Sequence, residues 1–172
     1  MDSITHIALG ACIGDALCGQ KIGKKALLIG AIAQSIPDFD FISSFWLSHA
    51  EQLLAHRGIT HSFLFMLLLS PILGFVMNKV FRQVSVPAFT LLFLIEIACH
   101  LFLDAFNNYG VGWFEPFSDV RVSFNTIYVA DVLMTIVPVV AAIVLVFSHM
   151  KYKRRLFWTR LTIIWCRLSL HQ

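Results

Sequence analysis

The chain is 172 residues long, with 58% of them hydrophobic and only 13% charged, about half the charged share of an ordinary soluble domain. Its mean hydropathy of +0.78 argues against a small soluble fold, which has too little interior to hide so much apolar surface. The net charge of +3 is gathered into clusters between apolar segments, a pattern of membrane loops rather than of a nucleic-acid surface.

The length allows one domain, and no linker, low-complexity run or internal repeat divides it. The N-terminus, Met1-Asp2-Ser3-Ile4-Thr5-His6, lacks the basic start of a secretory signal, so the first apolar stretch is expected to be retained. Residues 3–19 are the least apolar of the candidate spans, since they carry His6 and Asp15, and their Gly10-x-x-x-Gly14 spacing favours close helix packing. Residues 26–42 make a second span ending near Pro37, and Ile36, preceding proline, is expected to be extended. Residues 62–77, 85–106 and 127–148 complete about five membrane-embedded helices. The tail 151–172 is basic and amphipathic, either an interfacial helix on the cytoplasmic side or an irregular end. Cys12, Cys18, Cys99 and Cys166 form no CxxC and read as small buried apolar residues.

Three basic clusters, Lys21–Lys25, Lys79–Arg82 and Lys151–Arg155, fall between these segments. If all three lie in the cytoplasm, five alternating spans follow, with the N-terminus outside. On that path His6, Asp38, Asp40, His56, His61, His100 and Asp104 gather at the outer membrane face, although nearly 100 positions of sequence separate them. Asp38 and Asp40 would point the same way from an extended run. His100 and Asp104 stack four apart on a helix, with Glu96 one turn deeper. His56 and His61 need a turn at Arg57-Gly58 to point inward together.

Ionisable groups near hydrocarbon are costly and mark function by default. A divalent cation would relieve the repulsion among the carboxylates. Histidine and aspartate without cysteine suit zinc, and also manganese, iron or nickel. Seven candidate ligands exceed the four of a closed site, so either two ions bind or some residues orient the others. Asp131 could join the site or start a helix, and Glu96 reads as an intramembrane hydrogen-bonding group. His49, His149 and His171 read as surface residues. The aromatic loop 107–126 is either a headgroup-level belt or a lid over the ion.

The run Thr5-His6, Pro37-Asp38-Phe39-Asp40, His56-Arg57-Gly58-Ile59-Thr60-His61-Ser62 and His100-x-x-x-Asp104 resembles the YdjM-like family over about residues 1–135. These are bacterial inner-membrane proteins described as metal-dependent hydrolases, some associated with LexA and the SOS response. The resemblance implies metal binding at His6, Asp38, Asp40, His56, His61, His100 and Asp104. There is a fainter similarity to zinc-dependent phospholipase C, a helical enzyme acting on a lipid phosphodiester. Two departures stand out: Asp131 is followed by Val132, where the family often has proline, and the tail after about 150 looks unlike a family end.

The sequence reading is therefore an all-α, multi-pass bundle of the bacterial inner membrane. Residues 1–150 form the hydrolase domain, with one or two divalent ions activating water against a phosphoester of a lipid or lipid-linked substrate. Asp40 is the candidate general base, and Arg57 the candidate phosphate clamp. The rival readings are a metal-tied structural or regulatory protein, and a metal transporter; transporters usually place their site near mid-membrane. No direct nucleic-acid binding is expected.

Overall fold

The computed structural model describes residues 2–40, 57–126, 131–148 and 150–169. Among them are six α-helices and no strand: α1 (Ser3–Ile22), α2 (Lys25–Ser35), α3 (Phe63–Val80), α4 (Val86–Ala105), α5 (Val132–Phe147) and α6 (Tyr152–Ser169). The all-α expectation holds. His49, His56, His149 and His171 lie outside the described residues.

Asp2 caps α1 by accepting the Thr5 N–H at 2.9 Å, satisfying one of the orphan donors of the first turn. Gly23 ends the helix at φ 63, a conformation that costs glycine little. The chain then doubles back into α2. Gly10 and Gly14 face Gly30 so closely that a Cβ at Gly14 would lie 2.7 Å from the Gly30 Cα. The GxxxG spacing thus marks a real close approach. Gly14→Leu is expected to prise the hairpin apart, lowering stability by at least about 1–3 kcal/mol. A thermal melt of detergent-purified protein checks this, and an unchanged Tm would mean that the two helices do not meet there.

Ile36 is helical, at φ −57 and ψ −45, rather than extended. The preference against helix before proline is overridden because the turn continues: Ile36 N–H donates to Ala33 O, and Phe39 N–H to Ile36 O. Residues 37–40 form one 3₁₀ turn. In such a turn, side chains two apart diverge, so Asp38 and Asp40 do not point the same way.

Arg57 has φ 63 and turns the chain into the 3₁₀ segment Ile59–His61. This bears out the turn expected at Arg57-Gly58. Ser62 then caps α3 by accepting the Phe65 N–H at 3.1 Å. α3 packs on α4 through Gly74, whose Cβ, if present, would lie 2.8 Å from Thr90 N. Leu67, Leu68, Ile72, Phe75 and Val76 of α3 remain exposed, a face suited to lipid. α4 is the central helix, burying Phe89, Leu92, Phe93, Glu96, Ile97, His100, Leu101 and Asp104. Asp131 accepts the Leu133 and Met134 N–H groups at 2.8 and 3.2 Å, so it is the N-cap of α5.

The tail folds back onto the bundle. Tyr152 donates to the Ala16 carbonyl, Arg155 pairs with Asp15 and Thr159 donates to Cys12 O at 3.1 Å. Further along α6, Trp165 donates to Leu133 O at 2.7 Å. Residues 152–169 therefore form a sixth packed helix rather than an irregular end.

Among the described residues only α3 and α4 are long and apolar enough to cross a membrane, which corrects the expectation of about five such helices. α2 has 11 residues, about 16 Å at the α-helical rise. α5 has 16 residues, about 24 Å, against about 30 Å of hydrocarbon. α1 has 20 residues but includes Asp15 and Lys21 among them. The gathering of Asp38, His61, His100 and Asp104 does not depend on that count.

Candidate metal centre

Four elements deliver the site. The 3₁₀ turn after α2 carries Asp38, the 3₁₀ segment before α3 carries His61, and α4 carries His100 and Asp104 one turn apart. Behind them, α1 brings His6.

One ligand atom from each of Asp38, His61, His100 and Asp104 falls in a group whose members all lie within 4.8 Å of one another. The His100 Nε2 is 3.1 Å from the His61 Nε2 and 3.4 Å from Asp38 Oδ1. His61 Nε2 lies 3.7 Å from Asp38 Oδ1 and 3.6 Å from Asp104 Oδ2. His100 Nε2 and Asp104 Oδ2 are 3.7 Å apart. Donors at zinc-like bond lengths around one tetrahedral ion are separated by about 3.3–3.6 Å. The measured edges bracket that value, so these residues fit an ion. Two imidazole nitrogens facing each other also make sense around a shared cation, which accepts both lone pairs.

The flanking residues orient the four. His100 Nδ1–H donates to the Gln34 carbonyl at 2.6 Å, which leaves the Nε2 lone pair directed at the group. His61 Nδ1 is 3.7 Å from Asp40 Oδ2 and 3.1 Å from Thr60 Oγ1. His6 Nε2 is 3.3 Å from Asp104 Oδ1, and its ring stacks on His100 with centroids 3.9 Å apart. Asp40 and His6 are therefore outside the four-atom group, each placed behind one of its members. Asp40 Oδ2 also accepts the Arg57 N–H at 3.0 Å.

Arg57 is buried beside this group. Its Nε is 3.4 Å from Asp104 Oδ2, Nη1 donates to Asn107 Oδ1 at 2.8 Å, and the guanidinium lies over the Tyr109 ring at 5.4 Å. The Arg57 carbonyl accepts the Gly112 N–H at 2.9 Å. The aromatic loop is thus docked over the site through Arg57, while its Phe117 stays 82% exposed.

Charge in the cluster is uneven. Burial pushes the Asp38 carboxyl up, but the neighbouring His100 and His61 rings, 3.4 and 3.7 Å away, outweigh this and hold it below the usual carboxylate range. Burial pushes the His61 imidazole down, but the carboxylates of Asp104 and Asp38 outweigh this and leave it above the usual histidine value. Opposite charges within about 4–6 Å act in these directions. The Asp38 side chain is 25% exposed, whereas those of His61, His100 and Asp104 are at most 1% exposed. The way in from solvent therefore lies on the Asp38 side.

Two contributors escaped the sequence reading. Gln34 acts through its backbone, and its only signal was a glutamine in a mostly apolar helix. Asn107 was visible as a loop residue, but nothing in its spacing tied it to Arg57.

These features define a helical membrane protein with a buried His/Asp group that can hold a metal ion. The chain belongs to the YdjM inner membrane protein family, whose model matches residues 1–171. It is 32% identical over 121 residues to Inner membrane protein YbcI of Escherichia coli (strain K12), covering 69% of each chain. It is also 30% identical over 138 residues to the protein YfhP of Bacillus subtilis (strain 168), covering 76% of this chain and 42% of that one. No solved structure matches. The family places the protein with the inner membrane and its lipid bilayer.

Proposed function

We propose that the chain is a metal-dependent hydrolase acting on a phosphoester of a lipid or lipid-linked substrate at the membrane surface. The observation that carries this reading is the pairing of a four-donor His/Asp group with a buried guanidinium 3.4 Å from one of the donors. Asp38, His61, His100 and Asp104 would hold a single ion, zinc by the chemistry of the set, with manganese, iron or nickel as the alternatives. Such an ion supplies Lewis acidity and a more acidic water.

The chain's own residues do the rest. Arg57, fixed by Asn107 and Tyr109, offers its planar fork to a phosphate oxygen. Asp40 and His6 orient His61 and Asp104. Because Asp40 accepts the Arg57 N–H and faces His61 Nδ1, it acts through these neighbours rather than as a free base. Asp38, on the accessible side, borders the route by which water and substrate would reach the ion.

The test is hydrolysis of phosphate-monoester and phosphodiester lipids in mixed micelles by zinc-loaded protein. Wild type is expected to release product, and Arg57→Ala to raise KM more than it lowers kcat. A zinc-loaded wild type inert toward every phosphoester lipid would remove this reading.

A second reading has its own support: four protein donors can complete a tetrahedral shell, the mark of a structural ion. That ion would tie the end of α2 and the Ile59–His61 segment to α4. X-ray absorption on the zinc-loaded protein separates the two, since a solvent ligand on the ion favours the hydrolase and four protein ligands favour the tie.

A further inference from the structure

Glu96 lies on α4 one turn before His100, is fully buried, and has no part in the site described above. A carboxyl in an apolar interior is costly, so its presence calls for a use. Gln34, near the end of α2, is equally buried. In the orientation that gives both amide atoms partners, its side-chain nitrogen donates to Glu96 O at 2.6 Å and to Glu96 Oε2 at 2.7 Å. The backbone carbonyl of the same residue accepts the His100 Nδ1–H at 2.6 Å. One residue therefore meets Glu96 with its side chain and His100 with its backbone.

The glycines make this approach fit. A Cβ at Gly30 would lie 2.9 Å from Glu96 Oε1, and one at Gly10 would lie 2.5 Å from the Gln34 Cβ. The close α1/α2 contact thus sets Gln34 against α4. Asp38 follows four residues later on the same segment, so whatever fixes the end of α2 also fixes Asp38.

We propose that Glu96 is a positioning residue for the metal centre: by anchoring the Gln34 side chain it sets the Gln34 carbonyl that holds the His100 ring. His100 is thereby kept with its proton on Nδ1 and its Nε2 lone pair toward Asp38, His61 and Asp104. The consequence for the ion rests on the metal-site reading, whereas the effect on His100 does not. Removing the Glu96 carboxylate leaves the amide nitrogen one acceptor instead of two and releases the end of α2 from α4. Outer partners of this kind typically change metal affinity by about 10–100-fold without touching the ion.

The experiment uses the full chain in detergent with ¹⁵N-labelled histidine rings, first free of metal and then titrated with zinc. In wild type, the His100 signal, assigned by its loss in His100→Asn, is expected to report a single form protonated on Nδ1. Glu96→Leu and Gln34→Met are expected to give a mixture of ring forms and to bind zinc about 10–100-fold more weakly. Glu96→Gln, whose amide oxygen still accepts, is expected to match wild type in both readouts, which a merely space-filling role would not require. A folded Glu96→Leu with an unchanged His100 signal overturns the proposal, and if that variant does not fold, Gln34→Met decides on the same criterion. Wild type that takes up no zinc counts against the metal centre alone, because the ring signals still judge Glu96.

Discussion

Protein carrying His100→Ala together with Asp104→Ala is expected to purify without metal, while wild type prepared without chelators retains a transition-metal ion. The double variant removes two of the four grouped donors. Asp104 also has four charged or imidazole neighbours, with His6 at 3.3 Å, Arg57 at 3.4 Å, His61 at 3.6 Å and His100 at 3.7 Å. Its loss leaves a buried guanidinium and two further imidazoles with Asp38 as the remaining carboxylate in the group. The loss of affinity should exceed the about 10–100-fold that an outer partner costs. Elemental analysis reads the outcome directly. Because the double variant also strips charge pairs from a buried site, circular dichroism must show its helices intact. Asp104→Asn, similar in shape but uncharged, gives the milder comparison and should bind metal weakly. Full metal content in a folded double variant would show that the ion, if any, sits elsewhere.

The same cluster shows how far sequence alone carries. His100-x-x-x-Asp104 was legible because both residues interrupt an apolar helix at a spacing that puts them on one face. His61 was legible because a glycine turn precedes a capped helix start. Asp38 and Asp40 do lie beside the histidines, but through a local geometry other than the expected one. The 3₁₀ turn sends Asp38 toward the His61 and His100 Nε2 atoms and Asp40 toward His61 Nδ1. A preference of proline for extended neighbours is weaker than the hydrogen bonds that continue the turn. His6, counted among the candidate ligands, stacks on one group member and bonds another instead of joining the four. Which side chains join the four-atom group and which stand behind it is a matter of ångströms, and spacing along the chain does not encode it.

The number of spans was misjudged for a different reason. Hydropathy windows register apolar length, but α2 and α5 stop early, and α1 carries three of its polar residues toward other helices rather than toward water. Thr5, His6 and Asp15 are all buried against the rest of the bundle. Apolar composition therefore reported helix packing as well as contact with lipid. The tail was ambiguous for the same reason. Its arginines suggested a surface helix, yet Arg155 is buried against Asp15, a partner 140 residues earlier in the sequence.

That partnership carries the second large effect. Asp15→Asn or Asp15→Ala is expected to lower stability by about 3–5 kcal/mol, since removing one member of a buried ion pair leaves the other charge without compensation. Asp15 is fully buried and pairs with the Arg155 Nη2, while Tyr152 donates to the Ala16 carbonyl beside it. Gly19 makes room for the pair, since a Cβ there would run into the Asp15 carboxylate. The damage should begin at α6, whose hold on α1 runs through Tyr152, Arg155 and Thr159. Limited proteolysis should accordingly cut after residue 148 in Asp15→Ala well before it cuts wild type. Replacing both partners by apolar residues, as in Asp15→Leu with Arg155→Met, should recover most of the loss, because well-packed apolar pairs often equal or exceed a buried ion pair. The His/Asp group offers the control. It sits at the other end of α1, so zinc affinity should change little in the double replacement. If Asp15→Ala melts at the wild-type temperature, α6 does not depend on this pair, and its packing must rest on Thr159 against α1, Trp165 against α5 and the apolar contacts around Cys166.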